Sequence, residues 1–327
     1  MESRPNRALA SMEVRVCWAM LRIWLWSALS LGALTLGQAA AGQHLPLETT
    51  FRGRAKFERM EEKARSERWD RLALGDRVVR AGRELEGTPY KGFTLEIHDR
   101  IESPSVNLEG MDCWTFFETA LGFARMLEHP RSDYGPEDLL REVEQTRYRD
   151  GVCHGNYLDR IHYLAEWYVD NERRGNLKDL THDLGGIRFV NRRCTEMTTL
   201  WRSYRYLRNN PSLREPMARL EARISKLPME YVPTSQVKGI EGKLRNGDVI
   251  GIASKYQGGF CSHVGLAYRA PDGTTRLMHA SSDAKRVIVD SPVHIYLKRY
   301  DKHAGILVGR PLPPPKPNAA RTRAARG

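Results

Sequence analysis

A cysteine and two histidines are the residues of this chain best suited to nucleophilic chemistry. Cys113 lies in the segment 112–118, which reads Asp-Cys-Trp-Thr-Phe-Phe-Glu. About 150 residues later, His263 is followed by Val-Gly, and His279 is followed by Ala-Ser. A thiol attacks a carbonyl carbon when a neighbouring imidazole removes its proton, and a third polar group can orient that imidazole. The three residue types therefore indicate a nucleophile (Cys113), a general base (His263) and an orienting residue (His279).

The sequence around Cys113 predicts that a helix begins there. Asp112 is of a type that caps helices, and Phe116, Ala120 and Phe123 follow at the three- or four-residue spacing of a helix face. The first N–H groups of a helix have no helical partner, and the positive end of the helix dipole lies beside them. These groups can lower a thiol pKa and hold an oxyanion. We therefore expect this helix start to favour the thiolate.

The two histidines flank a predicted β-hairpin. Segments 264–268 and 275–279 have strand-like composition, and the sequence Ala-Pro-Asp-Gly between them is a turn signal. His263 and His279 each lie eight residues from Pro271. A hairpin symmetric about Pro271 would place them directly opposite each other, with Cβ atoms roughly 5 Å apart. One imidazole would then orient the other.

Each residue also has a simpler structural interpretation. A single cysteine in an apolar helix is more often a small buried hydrophobe, and a strand histidine is usually an ordinary surface or core residue. The combination favours catalysis. A zinc site using Cys153, His154, Cys261 and His263 is an alternative, but the C-x₂-C and H-x₃₋₅-H spacings are missing. We therefore expect no metal and no cofactor.

These residues resemble the NlpC-type papain-like cysteine peptidases of bacterial cell walls. Within that superfamily the chain is most similar to the N-acetylmuramoyl-L-alanine amidase-like branch, whose nucleophile motif reads Asp-Cys-x-Thr-Phe-Val-Glu; Phe117 replaces the valine. The resemblance runs over residues 78–311 and, with the nucleophile and Ser-His-Val-Gly segments, rests on seven ordered motifs. The other five are 147–151 (Arg-Tyr-Arg-Asp-Gly), 160–163 (Arg-Ile-His-Tyr), 247–250 (Gly-Asp-Val-Ile), 279–282 (His-Ala-Ser-Ser) and 305–311 (Gly-Ile-Leu-Val-Gly-Arg-Pro).

The resemblance implies a papain-like core of the α+β class. In such a core the Cys-bearing helix packs on a mainly antiparallel sheet, and here an inserted helical region interrupts it. Short β-like segments that follow one another after residue 247 agree with this class. The resemblance also implies catalytic roles for Cys113 as nucleophile, His263 as base and His279 as orienting residue.

Further substrate-binding candidates are Tyr90, Asp112 and His162. Tyr90 resembles the tyrosine that such enzymes place near the scissile carbonyl, although a turn aromatic packed on the core is an equal alternative. His162 has a structural hydrogen bond as its alternative role. Cys261 departs from the branch, which has an aspartate or another small polar residue two positions before the histidine.

The ends of the chain differ in composition from the middle. Residues 1–41 read as a signal peptide, with arginines, an apolar stretch and then Ala-Ala-Ala-Gly. The apolar stretch, about fourteen residues long, is shorter than the ~20 residues that a spanning helix needs. We expect a periplasmic or secreted protein without a stable membrane anchor. Residues 42–77 are predicted as an N-terminal helical extension, 78–311 as the catalytic domain with a helical insertion at about 152–237, and 312–327 as a disordered Pro/Arg tail.

The charge of the chain indicates the class of its substrate, and its cysteine content limits the number of disulfides. The formal net charge of the 327-residue chain is +12, which suits an acidic polymer such as the stem peptides of peptidoglycan. Nucleic acid is not expected, because acidic residues are interspersed with the basic ones. If Cys113 is the nucleophile, Cys153, Cys194 and Cys261 leave room for one disulfide, such as Cys153–Cys194.

The sequence therefore predicts an exported, monomeric cysteine amidase. Its substrate would be peptidoglycan or muropeptides, and its target the N-acetylmuramoyl-L-alanine amide bond, cleaved by a Cys-His-His mechanism. Alternatives are a stem-peptide endopeptidase, a protein-directed thiol protease or acyl transferase, and a non-catalytic cell-wall binding module.

Overall fold

The computed structural model describes residues 44–129 and 131–314. The predicted signal peptide and most of the predicted tail lie outside these ranges. Within them, no helix is both long enough and apolar enough to cross a bilayer.

Helices predominate in the first half of the described chain and strands in the second. The helices are α1 (Leu47–Thr50), α2 (Arg54–Ser66), α3 (Leu74–Glu84), α4 (Cys113–Met126), α5 (Pro136–Arg147), α6 (Leu164–Arg173), α7 (Glu196–Thr199), α8 (Arg205–Asn209), α9 (Arg214–Ile224), α10 (Thr234–Ile240) and α11 (Val293–Leu297). The strands are β1 (Phe51–Arg52), β2 (Val106–Asn107), β3 (Leu177–Asp179), β4 (Ile187–Arg188), β5 (Glu230–Pro233), β6 (Val249–Ser254), β7 (Cys261–Arg269), β8 (Thr275–Ser281), β9 (Arg286–Pro292) and β10 (His303–Pro311).

An antiparallel sheet forms the centre of the described chain. Its strand order is β4-β5-β10-β6-β7-β8-β9, with β3 also paired to β10. Every pairing in this eight-stranded sheet is antiparallel, and the separate β1–β2 pair is parallel. The predicted α+β class with a mainly antiparallel sheet is confirmed.

Apolar residues cover the sheet on both faces because alternate residues of a strand point to opposite sides. Ile250 and Ile252 of β6 belong to a core cluster shared with α10 and α11, whereas Val249 and Ala253 belong to the larger cluster shared with α2 to α6. The sheet is thus a central layer between helices.

Helix α4 is the most buried helix of the larger cluster. Twelve of its fourteen residues are buried, and it packs against α3, α5, β7 and β8. A helix held on all sides has little freedom to shift, so its first residue, Cys113, has a well-defined position.

The β7–β8 hairpin differs in register from the predicted one. Leu266 pairs with Met278 and Arg269 with Thr275, so the hairpin is centred on Asp272 and not on Pro271. The reason is the turn geometry: the Ala270 N–H donates to the Thr274 carbonyl at 2.9 Å, which leaves residues 271–273 as the loop, and Gly273 adopts a positive φ of 81°. In the observed register, the residue opposite each histidine lies two positions from the predicted one. Because side chains alternate between the two faces, both histidines stay on one face, but they are diagonal neighbours and not direct partners.

Two features of the structure bear on the predicted domain division. The segment 152–237 is not purely helical, because it supplies β3, β4 and β5, which join the sheet. The predicted boundary between residues 77 and 78 falls inside α3.

All four cysteines of the described residues are free thiols, so the Cys153–Cys194 disulfide is not formed.

A buried ion pair connects α4 to α5. Arg147 Nε donates to Glu118 Oε2 at 2.6 Å and Arg147 Nη1 donates to the carbonyl of Ser105 at 2.6 Å. Both charged side chains are fully buried. Burial of a single charge would be strongly unfavourable, so each depends on the other.

We predict that Glu118→Gln lowers the free energy of unfolding by about 3–5 kcal/mol, because it leaves the Arg147 charge buried without its partner. Urea denaturation at pH 7 measures the change. Glu215→Gln is the matched control, since Glu215 pairs with Arg219 on the exposed face of α9, and it should change stability by less than about 0.5 kcal/mol. Equal effects of the two substitutions would contradict the interpretation.

We predict that Gly265→Ala destabilises the β7–β8 hairpin. A Cβ atom at this position would lie 2.8 Å from the Met278 carbonyl oxygen and 3.1 Å from His279 Cβ. The crowding should lower the free energy of unfolding by about 1–3 kcal/mol. Gly239→Ala is the control: nothing lies within 4 Å of its added Cβ, and alanine in α10 should stabilise by about 0.5–1 kcal/mol. A neutral Gly265→Ala in thermal unfolding would show that the hairpin can relax.

Candidate active site

Cys113, His263 and His279 line one cavity of about 310 Å³. Cys113 comes from the start of α4, His263 from β7 and His279 from β8. Tyr90 also lines this cavity, together with residues from the β8–β9 turn, β9, α11 and the segment that leads into β10. The structure therefore brings together the three predicted catalytic residues and one of the three predicted substrate-binding residues.

A capping box holds Cys113 at the helix start. Asp112 Oδ1 accepts the backbone N–H of Thr115 at 2.8 Å, and Thr115 Oγ1 accepts the N–H of Asp112 at 3.0 Å. This reciprocal pair satisfies two of the donors that a helix start leaves without helical partners. The N–H groups of Val264, Trp114 and Cys113 itself interact favourably with the thiolate form of Cys113.

The expectation that Cys113 is readily ionised is wrong for the resting site. Burial of the side chain, followed by the negative charge of Asp112, raises the pKa of the Cys113 thiol to about 12. The three N–H groups oppose this shift but do not overcome it. Desolvation penalises a charged thiolate more than the helix start stabilises it. The thiol is consequently protonated at neutral pH and needs a base in order to react.

The two imidazoles are joined by a short hydrogen bond. His263 Nε2 and His279 Nδ1 are 2.6 Å apart, and the ring planes are nearly perpendicular at 87°. Tyr296 of α11 packs against both rings, with centroid separations of 6.1 Å to His263 and 5.2 Å to His279. This packing restricts rotation of both side chains.

His263 is suited to act as a base. Burial, followed by the electrostatic effect of the neighbouring His279, His303 and Lys302, lowers the pKa of His263 well below its usual value. The ring is therefore neutral at pH 7 and has a nitrogen lone pair to accept a proton. Among the described residues no hydrogen bond joins Cys113 Sγ to either ring. Apo sites often have loose catalytic contacts that tighten with substrate.

The backbone of Tyr90 is held by the residues that immediately precede α4 and β9. Its backbone N–H donates to the Lys285 carbonyl at 2.8 Å, and it forms a bridge with Met111, two residues before Cys113. Burial, followed by the electrostatic effect of the neighbouring Cys113 and Asp112, raises the pKa of Tyr90 to about 12. Its hydroxyl thus remains a hydrogen-bond donor across the neutral range.

The other two predicted substrate-binding residues have structural roles. Asp112 caps α4, and neither it nor His162 lines the cavity. His162 Nε2 is hydrogen-bonded to the Tyr157 carbonyl at 3.0 Å, and the two rings are 4.5 Å apart. His162 thus makes the kind of structural hydrogen bond that was its alternative role.

Sequence reasoning missed three residues around the histidines. Asp290 Oδ2 lies 3.3 Å from His279 Nε2, and Arg299 makes a two-point ion pair with the same carboxylate. Tyr296 packs on both rings. The sequence carried no signal for Asp290, because its place beside His279 depends on the pairing of β9 with β8, in which Ile288 lies opposite His279 and the register is irregular beyond Val289. Within the described ranges, no cluster of three or more Cys, His, Asp or Glu side chains has metal-binding geometry.

Comparison with known proteins identifies the family. Residues 80–306 match the AmiA-like family model, described as N-acetylmuramoyl-L-alanine amidase-like. A search of curated proteins found no match.

Solved structures have the same fold. An N-acetylmuramoyl-L-alanine amidase from Bacteroides uniformis is 28% identical, with a TM-score of 0.65 over 73% of this chain and 99% of that one. A protein from Bacteroides fragilis that carries the name xylanase is 30% identical. Its TM-score is 0.63, over 70% of this chain and 99% of that one. Protein LPG0564 from Legionella pneumophila, 21% identical with a TM-score of 0.56 over 79% of this chain and 96% of that one, shares the fold. The family model spans most of the described residues, and this chain belongs to the AmiA-like, N-acetylmuramoyl-L-alanine amidase-like family.

Proposed function

We propose that this protein is a cysteine amidase that hydrolyses the bond between N-acetylmuramic acid and L-alanine in peptidoglycan or in muropeptides. The observation that carries the proposal is the single cavity shared by Cys113, His263 and His279, in a chain of the amidase-like family. The order and types of these residues also favour an NlpC-type papain-like relationship.

The first chemical step is attack of the thiol on the amide carbonyl. His263 takes the proton from Cys113 Sγ as the sulfur bonds to the carbonyl carbon, because the pKa values of the resting pair favour the neutral thiol and neutral imidazole. The carbonyl oxygen gains negative charge. Backbone N–H groups of Cys113, Trp114 and Val264, which already favour negative charge at the sulfur, can stabilise it.

The second step releases the amine. Protonated His263 donates its proton to the amide nitrogen, the carbon–nitrogen bond breaks, and the peptide leaves with a free L-alanine amine. The sugar side remains attached to sulfur as a thioester. Water, deprotonated by His263, then attacks the thioester and restores the thiol. Tyr90 lines the same cavity, and its proposed role is to donate a hydrogen bond from its hydroxyl to the substrate carbonyl or to the leaving group.

The remaining parts of the proposal concern the setting of the enzyme. We propose export to the periplasm or the exterior on the basis of the signal-like composition of residues 1–41. We also propose that the protein acts as a monomer and that residues 78–311 form the catalytic domain, with residues 42–77 as an N-terminal helical extension. The basic net charge supports an acidic wall substrate.

We predict that Cys113→Ala lowers kcat on a purified disaccharide-peptide by about 10⁴-fold or more, because no other nucleophile replaces the thiol. Mass analysis of the products measures both rate and bond choice. Cys153→Ala is the matched control: Cys153 is buried outside the cavity, and its loss should leave kcat within about threefold.

Two results would reject the assignment. Full activity of Cys113→Ala, or loss of wild-type activity with a metal chelator alone, contradicts thiol catalysis. Release of a truncated peptide, with L-alanine still attached to the sugar, would replace the amidase by the stem-peptide endopeptidase.

We predict that kcat/KM stays constant as the pH falls through 6.5 and declines only at lower pH. The base form of His263 is required, and the pKa of His263 lies well below its ordinary value. Protonation therefore removes activity only after the pH falls below that lowered pKa. Initial rates between about pH 4 and pH 9 with one muropeptide measure the profile.

Lys302→Met tests the cause of this profile. Lys302 contributes positive charge that disfavours protonation of His263. Its removal should move the acid limb to higher pH. An acid limb centred above pH 7 in the wild type, or a shift to lower pH in the variant, would contradict the role of His263.

A further inference from the structure

Asp290 is held as an ionised carboxylate beside the histidine pair. Arg299 donates from Nη1 to Oδ2 at 2.8 Å and from Nη2 to Oδ1 at 2.7 Å, and the N–H of Ser291 donates to Oδ1 at 2.6 Å. Burial would raise the pKa of Asp290, but hydrogen bonds with His279 and Arg299 outweigh it and hold the pKa well below its usual value. An ionised carboxylate can only accept hydrogen bonds.

This carboxylate determines the direction of each hydrogen bond in the chain. Because Asp290 only accepts, the Nε2 atom of a neutral His279 must carry the proton that is shared across 3.3 Å. The Nδ1 atom of that ring is then an acceptor. His263 must donate from Nε2 to His279 Nδ1 across their 2.6 Å contact. A neutral His263 with its proton on Nε2 has a free lone pair on Nδ1.

We propose that Asp290 is a positioning residue that sets the tautomers of both histidines, so that His263 presents an unprotonated Nδ1 to the thiol. The inference deepens the proposed function, since it rests on His263 acting as the base. Among the described residues no hydrogen bond occupies His263 Nδ1, so this nitrogen is available to the proton of Cys113. The proton moves from Sγ to Nδ1 of His263 and does not pass on to His279.

Arg299 gives the carboxylate its orientation. Its planar guanidinium binds both oxygens of Asp290 at once, which fixes the plane of the carboxylate relative to His279. Negative charge on Asp290 also stabilises the imidazolium that forms when His263 takes the proton. Asp290 and Arg299 thus act on the Cys113 thiol only through the rings of His279 and His263.

Other charged and titratable groups face the histidine pair from every neighbouring element. Any pH profile of the site includes their influence. They are Cys113 of α4, Tyr90 of the preceding turn, Asp283 of the β8–β9 turn, Tyr296 of α11, Arg299, Tyr300 and Lys302 between α11 and β10, and His303 at the start of β10.

The substitution Asp290→Asn reverses the hydrogen-bond direction. Oδ1 has two short donors, Arg299 Nη2 and the Ser291 N–H, so an asparagine oxygen is favoured there. The NH₂ group then occupies the position of Oδ2 and donates to His279 Nε2. That ring must carry its proton on Nδ1 and donate to His263, whose proton moves to Nδ1. The base would lose its free lone pair.

We expect Asp290→Asn to lower kcat/KM at pH 7 by about 10²- to 10⁴-fold, with a smaller effect on KM than on kcat, because the base is in the wrong tautomer. Alkylation of Cys113 by iodoacetamide should slow in parallel. The matched control is Glu241→Gln, which removes a carboxylate 2.9 Å from His294 Nδ1 outside the cavity. This control should leave both rates within about threefold.

The deciding measurement is ¹⁵N NMR of histidine side chains in the full chain without substrate. Wild-type protein should show His263 and His279 protonated on Nε2, and Asp290→Asn should show both protonated on Nδ1. A wild-type His263 protonated on Nδ1 would overturn the inference, as would an Asp290→Asn protein with unchanged tautomers and unchanged kcat/KM.

The same measurement separates this inference from the proposed function. Tautomers as expected in a protein that cleaves no muropeptide would leave the role of Asp290 supported and the amidase assignment rejected. Should Asp290→Asn fail to fold, the wild-type spectrum alone decides, because the tautomer of His263 is either Nε2–H or Nδ1–H.

Discussion

The hydrogen bond between His263 and His279 is the interaction on which the site depends. It requires two strands in one register, a hairpin loop of one length and a residue without a side chain at position 265. Gly265 lies so close to His279 that an added Cβ would be 3.1 Å from the Cβ of that histidine. The packed sheet beneath the hairpin maintains this spacing, because β7 is also paired along its other edge with β6.

Burial has opposite consequences for the two halves of the catalytic machinery. It raises the pKa of Cys113 and lowers the pKa of His263, so both groups are neutral at rest. A preformed thiolate–imidazolium pair would need more compensating charge than the start of α4 provides. The site is therefore organised for base-assisted attack, in which charge develops only during the reaction and backbone N–H groups are already in place to stabilise it.

Much of the site followed from local sequence patterns. The capped helix start at Cys113, the paired histidine strands and the Tyr90 turn all lie near positions that spacing indicated, because capping and alternation are short-range properties. His162 shows the limit of this reasoning. Its motif resembles a functional segment, yet its ring is used to hold the Tyr157 carbonyl, a contact that residue type alone does not reveal. The strands within 152–237 were also missed, because they are only two to four residues long and become strands through pairing with a sheet that is distant in sequence.

The sequence by itself determined the α+β class, the helix start that presents the thiol and the face that both histidines share, since each depends on periodicity or on residues a few positions apart. Tertiary structure alone decided the protonation of Cys113, the diagonal register of the histidines and the place of Asp290 behind them. Those properties depend on desolvation, loop geometry and contacts between separate strands. A carboxylate eleven residues from His279 becomes its partner only when β9 lies beside β8.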